Sequence, residues 1–336
     1  MKSEERQGRI VEVILNGESG ALDKHALAGT IESFLVLRGL MPRVHVTARG
    51  NEVPRLARQA ASSDADIVVA GGGDGTSAAV AEHIAGTGKA FGVLPLGTFN
   101  YFAKDLGIPL ELDGALDVLA NGVSASIDVG EVNGHLFLNN SSVGLYPALL
   151  AQRETTYRRF GRSQLAAYLS VLLVLVEPPR FLNLTISADG HLLTRRTPLL
   201  FIGTNAFQMD SFGIVARDCL VSRKLTFYVT HPLGALGLLR LAVRAFVRGL
   251  RGAREFEAIC AEEILVGMRR HHVRIAMDGE VRVLETPLRY RIQRGALRVL
   301  VPAVQLKPDS QSGIRWRPGT TYPPETTTER NPAAAR

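Results

Sequence analysis

Cysteine is almost missing from this chain: two in 336 residues, Cys219 and Cys260, cannot make a disulfide framework, and no second pair of metal ligands accompanies them. A zinc module is thereby excluded, and both cysteines are assigned to packing. Long apolar runs are lacking as well, since the longest uncharged apolar stretch, Ser163 to Val176, falls short of the roughly 20 residues of a membrane-spanning helix. The charged opening, Met1 to Arg9, is followed by no apolar segment of the secretory-signal kind. The expectation is a soluble cytoplasmic protein. Ser163 and the other serines lack any G-x-S-x-G setting, which disfavours an acyl-transfer hydrolase.

Positive charge is in excess, with a formal net charge of +7, and attracts polyanions. No helix-turn-helix, zinc or RNA-recognition signature accompanies it, so nucleic acid is not the expected partner; an anionic membrane surface fits better. With 46% apolar residues and 33 glycines, the chain has the material for a large core and the length for two domains.

Strands and helices alternate through Ala120, which predicts a three-layer α/β/α domain on a mostly parallel sheet. Expected strands are Ile10 to Leu15, Val44 to Thr47, Ile67 to Ala70 and Ala90 to Leu94. Near Val123 to Val129 the pattern changes to short strands following one another directly, the mark of an antiparallel, β-sandwich-like domain. Its expected strands are Leu136 to Asn140, Leu182 to Ser187, Leu199 to Thr204, Leu225 to Thr230, Val273 to Ala276, Val281 to Leu284, Leu288 to Gln293 and Leu297 to Val301. The boundary falls near Ala125, giving domains 1–125 and 126–305, with the last strand a candidate to return to the first domain.

Two helices are inserted in the second domain. Arg162 to Val176 is apolar almost all round and ends at Pro178-Pro179. Leu233 to Leu250 carries Arg240, Arg244, Arg248 and Arg251 along one side and an apolar face on another, so it reads as a basic amphipathic helix for anionic membrane or as a core helix with a solvated arginine face. From Lys307 onward proline, threonine, serine and charge replace apolar periodicity, and 306–336 is expected to be a disordered tail.

The most informative stretch is Asp66 to Thr76, DIVVAGGGDGT. A buried-type strand stops on Gly71, Gly72, Gly73, Asp74 and Gly75, and a helix follows from Thr76. That order presents unhindered backbone N–H groups at the positive end of a helix dipole, a phosphate site in outline. Asp74 would repel a phosphate unless a cation lay between them, so it is the candidate Mg²⁺ or water-held position. The spacing is neither GxxxxGK[ST] nor GxGxxG. A second strand ends in Pro95-Leu96-Gly97-Thr98-Phe99-Asn100, so two consecutive strands meet one crevice.

GGGDGT followed by PLGTFNYFAKDLGIP resembles the catalytic domain of the bacterial diacylglycerol kinase-like lipid kinases, whose usual forms are GGDGT and PLGTxNDFA. GGDGT alone would also admit NAD kinases and phosphofructokinases. The resemblance extends more weakly from about Val11 to about Pro302, and Asn16, Ser19 and Gly20 match the family's Asn-Pro-x-Ser-Gly loop except that Gly17 replaces proline. It implies transfer of the γ-phosphate of ATP, with Mg²⁺, to the hydroxyl of a diacylglycerol-like or other lipid alcohol at a membrane surface. Nucleotide contacts would come from Asn16, Thr47, Gly71, Gly72, Gly73, Asp74, Gly75, Thr76, Gly97, Thr98 and Asn100. The oligomeric state stays open, a homodimer included.

In VRIAMDGEVRVL, Val273 to Leu284, Asp278-Gly279 joins two strand-like runs as a two-residue hairpin turn. Read alone, Glu280 is a solvated edge residue. The lipid kinases carry Asp-Gly-Glu in this place, and the resemblance makes Glu280 the candidate general base beside Asp74. His271-His272 read as a surface pair.

Three departures accompany the resemblance. Tyr101 stands where the family has Asp, Ser77-Ala78-Ala79 where an Asn-Glu pair is common, and Leu220 to Thr226 lacks the carboxylates that hold a structural Mg²⁺ in many relatives. With Ser222, Arg223 and Thr226 in that segment, the separate ion is expected to be missing. The rivals are an NAD kinase-like enzyme, disfavoured by Pro95 to Pro109, and a nucleotide- or lipid-binding relative that has lost catalysis.

Overall fold

Strands β1 (Ile10–Asn16), β3 (Ile67–Gly72) and β4 (Ala90–Pro95) are buried along nearly their whole length, and β2 (Met41–Thr47) is the partly exposed edge. They run parallel in the order β2-β1-β3-β4. The chain was described by a computed structural model covering residues 8–19, 23–160, 181–204, 223–234 and 256–303, with the single positions 237, 240 and 244. The helix expected at 162–176, the tail at 306–336, and Gly20, Cys219, Ser222, Arg248 and Arg251 lie outside these residues. Arg240 and Arg244 are helical positions.

Helices α1 (Lys24–Leu37), α2 (Val53–Ser62), α3 (Asp74–Ile84), α4 (Tyr101–Asp105) and α5 (Leu112–Asn121) follow the strands. Leu27, Ile31 and Leu35 recur at helical spacing and form the buried stripe of α1, whose first turn is capped by the Asp23 carboxylate on the N–H groups of His25 and Ala26. α1 packs on α5 and α2 on α3, so the sheet is covered on both faces. This is the three-layer α/β/α half expected from the sequence.

The second half is a sandwich. One layer is a six-stranded sheet, β12-β11-β10-β7-β14-β15, all antiparallel, formed by β7 (Asn140–Gly144), β10 (Leu199–Gly203), β11 (Leu225–Thr230), β12 (Phe256–Ala261), β14 (His272–Met277) and β15 (Glu280–Glu285). The other continues the first sheet through β5 (Val123–Val132), β6 (His135–Phe137), β8 (Leu182–Ala188), β9 (His191–Thr197), β13 (Glu263–Gly267) and β16 (Leu288–Val301). Between them lies a second core that includes Phe137, Leu184, Phe227, Ile264 and Tyr290. Helix α6 (Leu145–Phe160) packs on the outer side of β7, β14 and β15.

Several strands differ from the sequence expectation. Leu288–Val301 is one strand, with a register shift between Gln293 and Leu297 where Gly295 takes φ 61°. The irregularity bends the strand, and its two ends serve different neighbours: β13 at Leu288 to Arg291, and β4, in parallel, at Arg298 and Val299. The single strand expected over Leu136 to Asn140 is instead two strands of different sheets, β6 and β7. β9, β12 and β13 were not foreseen: apolar or weakly polar residues such as Leu192 on β9 and Ala258 and Cys260 on β12 stand exposed, so no clean alternation of apolar and polar positions marks these strands. No helix among the described residues is long and apolar enough to cross a membrane.

The packing role expected for Cys260 is corrected: it lies on the exposed side of β12 and is disulfide-bonded, while Cys219 lies outside the described residues.

Candidate functional site

The carboxyl ends of β1 to β4 bring together every nucleotide-contact candidate. At the end of β1, Asn16 Nδ2 donates to Thr76 Oγ1 at 3.0 Å, tying the β1 loop to α3. At the end of β2, Thr47 is fully buried and donates through Oγ1 to the Leu15 carbonyl at 3.3 Å, while Gly17 N–H bonds the Thr47 carbonyl at 3.1 Å. A Cβ on Gly17 would lie 2.2 Å from that carbonyl oxygen, so the loop is held too close for a side chain.

β3 runs on through Gly72, and Gly73 is the N-cap of α3 with no side chain capping it. The first N–H groups of α3 are left without a side-chain acceptor, at the end of the helix where an anion is favoured. The second loop presses against the first: Leu96 N–H bonds the Gly72 carbonyl at 2.9 Å, and a Cβ on Gly97 would stand 2.4 Å from Gly73 Cα. Gly72 is likewise closed to a side chain by Thr76. These contacts make a narrow backbone cradle. Thr98 is exposed at its lip.

Asn100 sits at φ 51° with its side chain folded under the loop, accepting from Gly97 N–H at 3.0 Å and donating to the carbonyls of Pro95 and Gly97 at 3.1 and 2.9 Å. It shapes the cradle. Asp74 occupies the first turn of α3, and its Oδ1 accepts the Phe102 N–H at 2.9 Å, which locks α4 to the glycine-rich turn. Tyr101 stacks on the exposed Phe99 with ring centroids 5.5 Å apart, and burial, then the Asp74 charge, raise its hydroxyl pKa.

Glu280 arrives from the other half of the molecule. The β14–β15 hairpin turns at Asp278 (φ 48°) and Gly279 (φ 89°), two left-handed residues as a tight two-residue turn requires. The turn is fastened from beneath. The Asp278 carboxylate, buried, accepts the N–H groups of Leu138 at 2.7 Å and Asn139 at 2.7 Å, the two residues between β6 and β7, and of Asn140, the first residue of β7, at 3.2 Å. Burial pushes its carboxyl up to about 6 against those donors, and the nearby Asp74 adds to the rise. Glu280 itself is exposed and lies over α3, its Oε1 3.2 Å from where a Cβ of Gly75 would be. Asp74 and Glu280 thus face one space beside the cradle.

A strut that the sequence reading missed holds this arrangement. Arg282, two residues beyond Glu280, donates to both oxygens of Glu82 on α3 at 3.1 and 3.0 Å, and His135 Nδ1 lies 2.9 Å from Glu82 Oε1. Burial disfavours the Glu82 charge, but Arg282 and His135 outweigh it and hold the carboxyl below its usual range. The alternation Glu280, Arg282 on one strand face was the available signal; the partner on α3 was not visible.

No group of three or more His, Cys, Asp or Glu side chains poised for a metal occurs among the described residues. A cation at Asp74 would need phosphate oxygens to complete its shell, which suits an ion that arrives with a nucleotide. Where many lipid kinases carry a metal-binding segment, Arg223 forks onto the Asp128 carboxylate, with Nε at 2.6 Å from Oδ2, and Gly295 N–H adds a bond to Oδ1. Thr226 is buried in β11.

Comparison with known proteins bears on the family of the chain. The model of the diacylglycerol kinase catalytic domain matches residues 11–132. The diacylglycerol kinase of Bacillus subtilis is 32% identical over 210 residues, covering 61% of this chain and 68% of that one. A probable lipid kinase YegS-like of Pseudomonas aeruginosa is 47% identical over 103 residues, and one of Yersinia pestis 36% over 138 residues. The chain spans 34% and 45% of those two proteins, less than half of each. A putative diacylglycerol kinase of Bacillus anthracis shares the fold with a TM-score of 0.69 at 19% identity, over 88% of this chain and 98% of that one.

Proposed function

Because the chain belongs to the diacylglycerol kinase family, we propose that it is an ATP-dependent lipid kinase that moves the γ-phosphoryl group to the hydroxyl of a diacylglycerol-like or other lipid alcohol. The observation that carries this reading is the approach of the Glu280 carboxylate to Gly75, beside Asp74, at the uncapped start of α3.

The nucleotide would lie across Gly71 to Thr76, Gly97 and Thr98, with Asn16 and Thr47 at the β1–β2 side and Asn100 keeping the second loop in shape. Residues 1–125 then form the nucleotide half and 126–305 the acceptor half, with Glu280 carried across by its hairpin. Asp74, whose Oδ2 is not used by the Phe102 N–H, would hold Mg²⁺, and the ion would supply charge neutralisation to the phosphates. Glu280 accepts the proton of the lipid hydroxyl as its oxygen bonds to the γ-phosphorus, and the bond from phosphorus to the bridging oxygen breaks to release ADP. The protein would work in the cytoplasm, in peripheral contact with a membrane.

The test is lipid-dependent ADP production by the purified protein across a panel of lipid alcohols, with NAD as a further acceptor. Phosphorylation of NAD in place of lipid would favour the NAD kinase-like reading. A second reading, a binding relative without catalysis, is favoured by Tyr101 beside Asp74 where the family has an acid. ATP binding with no turnover on any acceptor would establish it.

A further inference from the structure

A cavity of about 910 Å³ opens between α6 and the sandwich, at the end of β14 remote from Asp278. Its apolar wall includes Pro147, Leu182 and Val283, and Arg269, Arg270 and Arg274 line it as well. Val283 is 60% exposed, and Val281 beside it on the same strand face is 38% exposed. The three arginines are exposed and form no ion pair among the described residues; His272, on the same rim, has its Nε2 3.7 Å from Glu285 Oε1. With no carboxylate among the described lining residues, the arginines repel one another, and an anion bound among them removes that repulsion. The volume lies within the range of small-molecule pockets, roughly 300–1,000 Å³.

We propose that this cavity is a second lipid site, taking an anionic phospholipid with an acyl chain along the apolar wall and its phosphate on Arg269, Arg270 and Arg274. A guanidinium fork matches phosphate oxygens two at a time, and neither an apolar metabolite nor a free sugar phosphate would use both parts of the site. The site is separate from the reacting groups: Arg274 and Asp278 are four residues apart on β14 and its turn, roughly 13 Å at about 3.3 Å per residue. The choice of a lipid over another anionic amphiphile rests on the kinase reading above.

The experiment measures binding of monomeric dioctanoyl phosphatidate by calorimetry, in the absence of ATP, with glycerol 3-phosphate as the headgroup alone. The wild type should bind the lipid saturably, and glycerol 3-phosphate should bind at least about tenfold more weakly, since it forgoes the apolar wall. Arg270→Gln with Arg274→Gln should weaken lipid binding by about tenfold or more while leaving ATP binding unchanged. Ala148→Phe, which fills the cavity from α6, should do the same; the arginine variant decides alone if that protein does not fold.

Equal affinity for lipid and headgroup would mean a charged surface only and would overturn the proposal, as would lipid binding indifferent to both variants. If the arginine variant loses lipid-dependent ADP production together with lipid binding, the cavity is the acceptor site and the second site does not exist. Absence of kinase activity with lipid binding intact would remove the kinase reading and leave the cavity assignment standing.

Discussion

The carboxylate of Glu280 rests on Gly75, with Oε1 3.2 Å from the position a Cβ would take there. A residue from the sandwich therefore touches the first turn of α3, and the room for it exists because position 75 has no side chain.

Gly75→Ala separates stability from activity. Alanine favours a helix over glycine by about 1 kcal/mol, so the melting temperature should hold or rise. The added methyl pushes Glu280 away by a few tenths of an ångström, and turnover should fall by about tenfold, since small misplacements of reacting groups are costly. A steady-state assay beside a thermal melt checks both; unchanged turnover would mean that Glu280 does not act from this position.

Asp278 predicts a pH dependence of stability. Its folded pKa is raised to about 6 from an ordinary 3.8, so the folded protein binds this proton more tightly than the unfolded chain. The protonated group's contribution is fully present below pH 3.8 and is lost as pH rises through about 6, a change of roughly 2–3 kcal/mol. The stability of wild type relative to Asp278→Asn, from urea unfolding between pH 4 and 7, should fall across that window. A flat or rising difference would show that the three backbone donors win over burial and keep the carboxylate ionised throughout.

The Arg282–Glu82 strut should couple the two halves. Either Arg282→Met or Glu82→Gln leaves a half-buried partner without its charge pair, and a double-mutant cycle should return a coupling of about 1–2 kcal/mol. Turnover should fall in both single variants with ATP affinity nearly unchanged, because the hairpin and not the cradle loses its anchor. A coupling near zero would reduce the strut to a surface ion pair.

The parallel half was legible because its strands are buried on both faces and punctuated by glycine, so β1, β3 and β4 stand out as apolar runs ending in turns. Asp74 and the cradle glycines could be read for the same reason: local chain geometry and local chemistry coincide there. What could not be read were relations across long separations. The acceptors of Leu138, Asn139 and Asn140 N–H lie about 140 residues downstream at Asp278, and Glu82 meets Arg282 across the two halves. Arg223 was read as a residue that repels a cation; its seat on Asp128 required the fold. The single long β16 was read as two strands because the bulge at Gly295 breaks its alternation.

Asp74 and Glu280 should fail differently when replaced. Asp74→Ala removes the acceptor of Phe102 N–H as well as the carboxylate offered to the cation, so both ATP affinity and turnover should drop. Glu280→Gln keeps shape and hydrogen bonding at an exposed position and removes only the base, so ATP affinity should stay near wild type. Turnover should fall by about 10²–10⁴-fold, the usual worth of general-base catalysis. Phosphoryl transfer owes much of its rate to alignment and electrostatics, and an enzyme relying on those alone would lose little on this change. The measurement is lipid-dependent ADP production beside nucleotide titration for both variants. Near-wild-type turnover in Glu280→Gln would remove Glu280 as the base and leave the Gly75 contact as a docking contact between the halves; an equal loss of ATP affinity in both variants would place Glu280 on the phosphates instead of the acceptor.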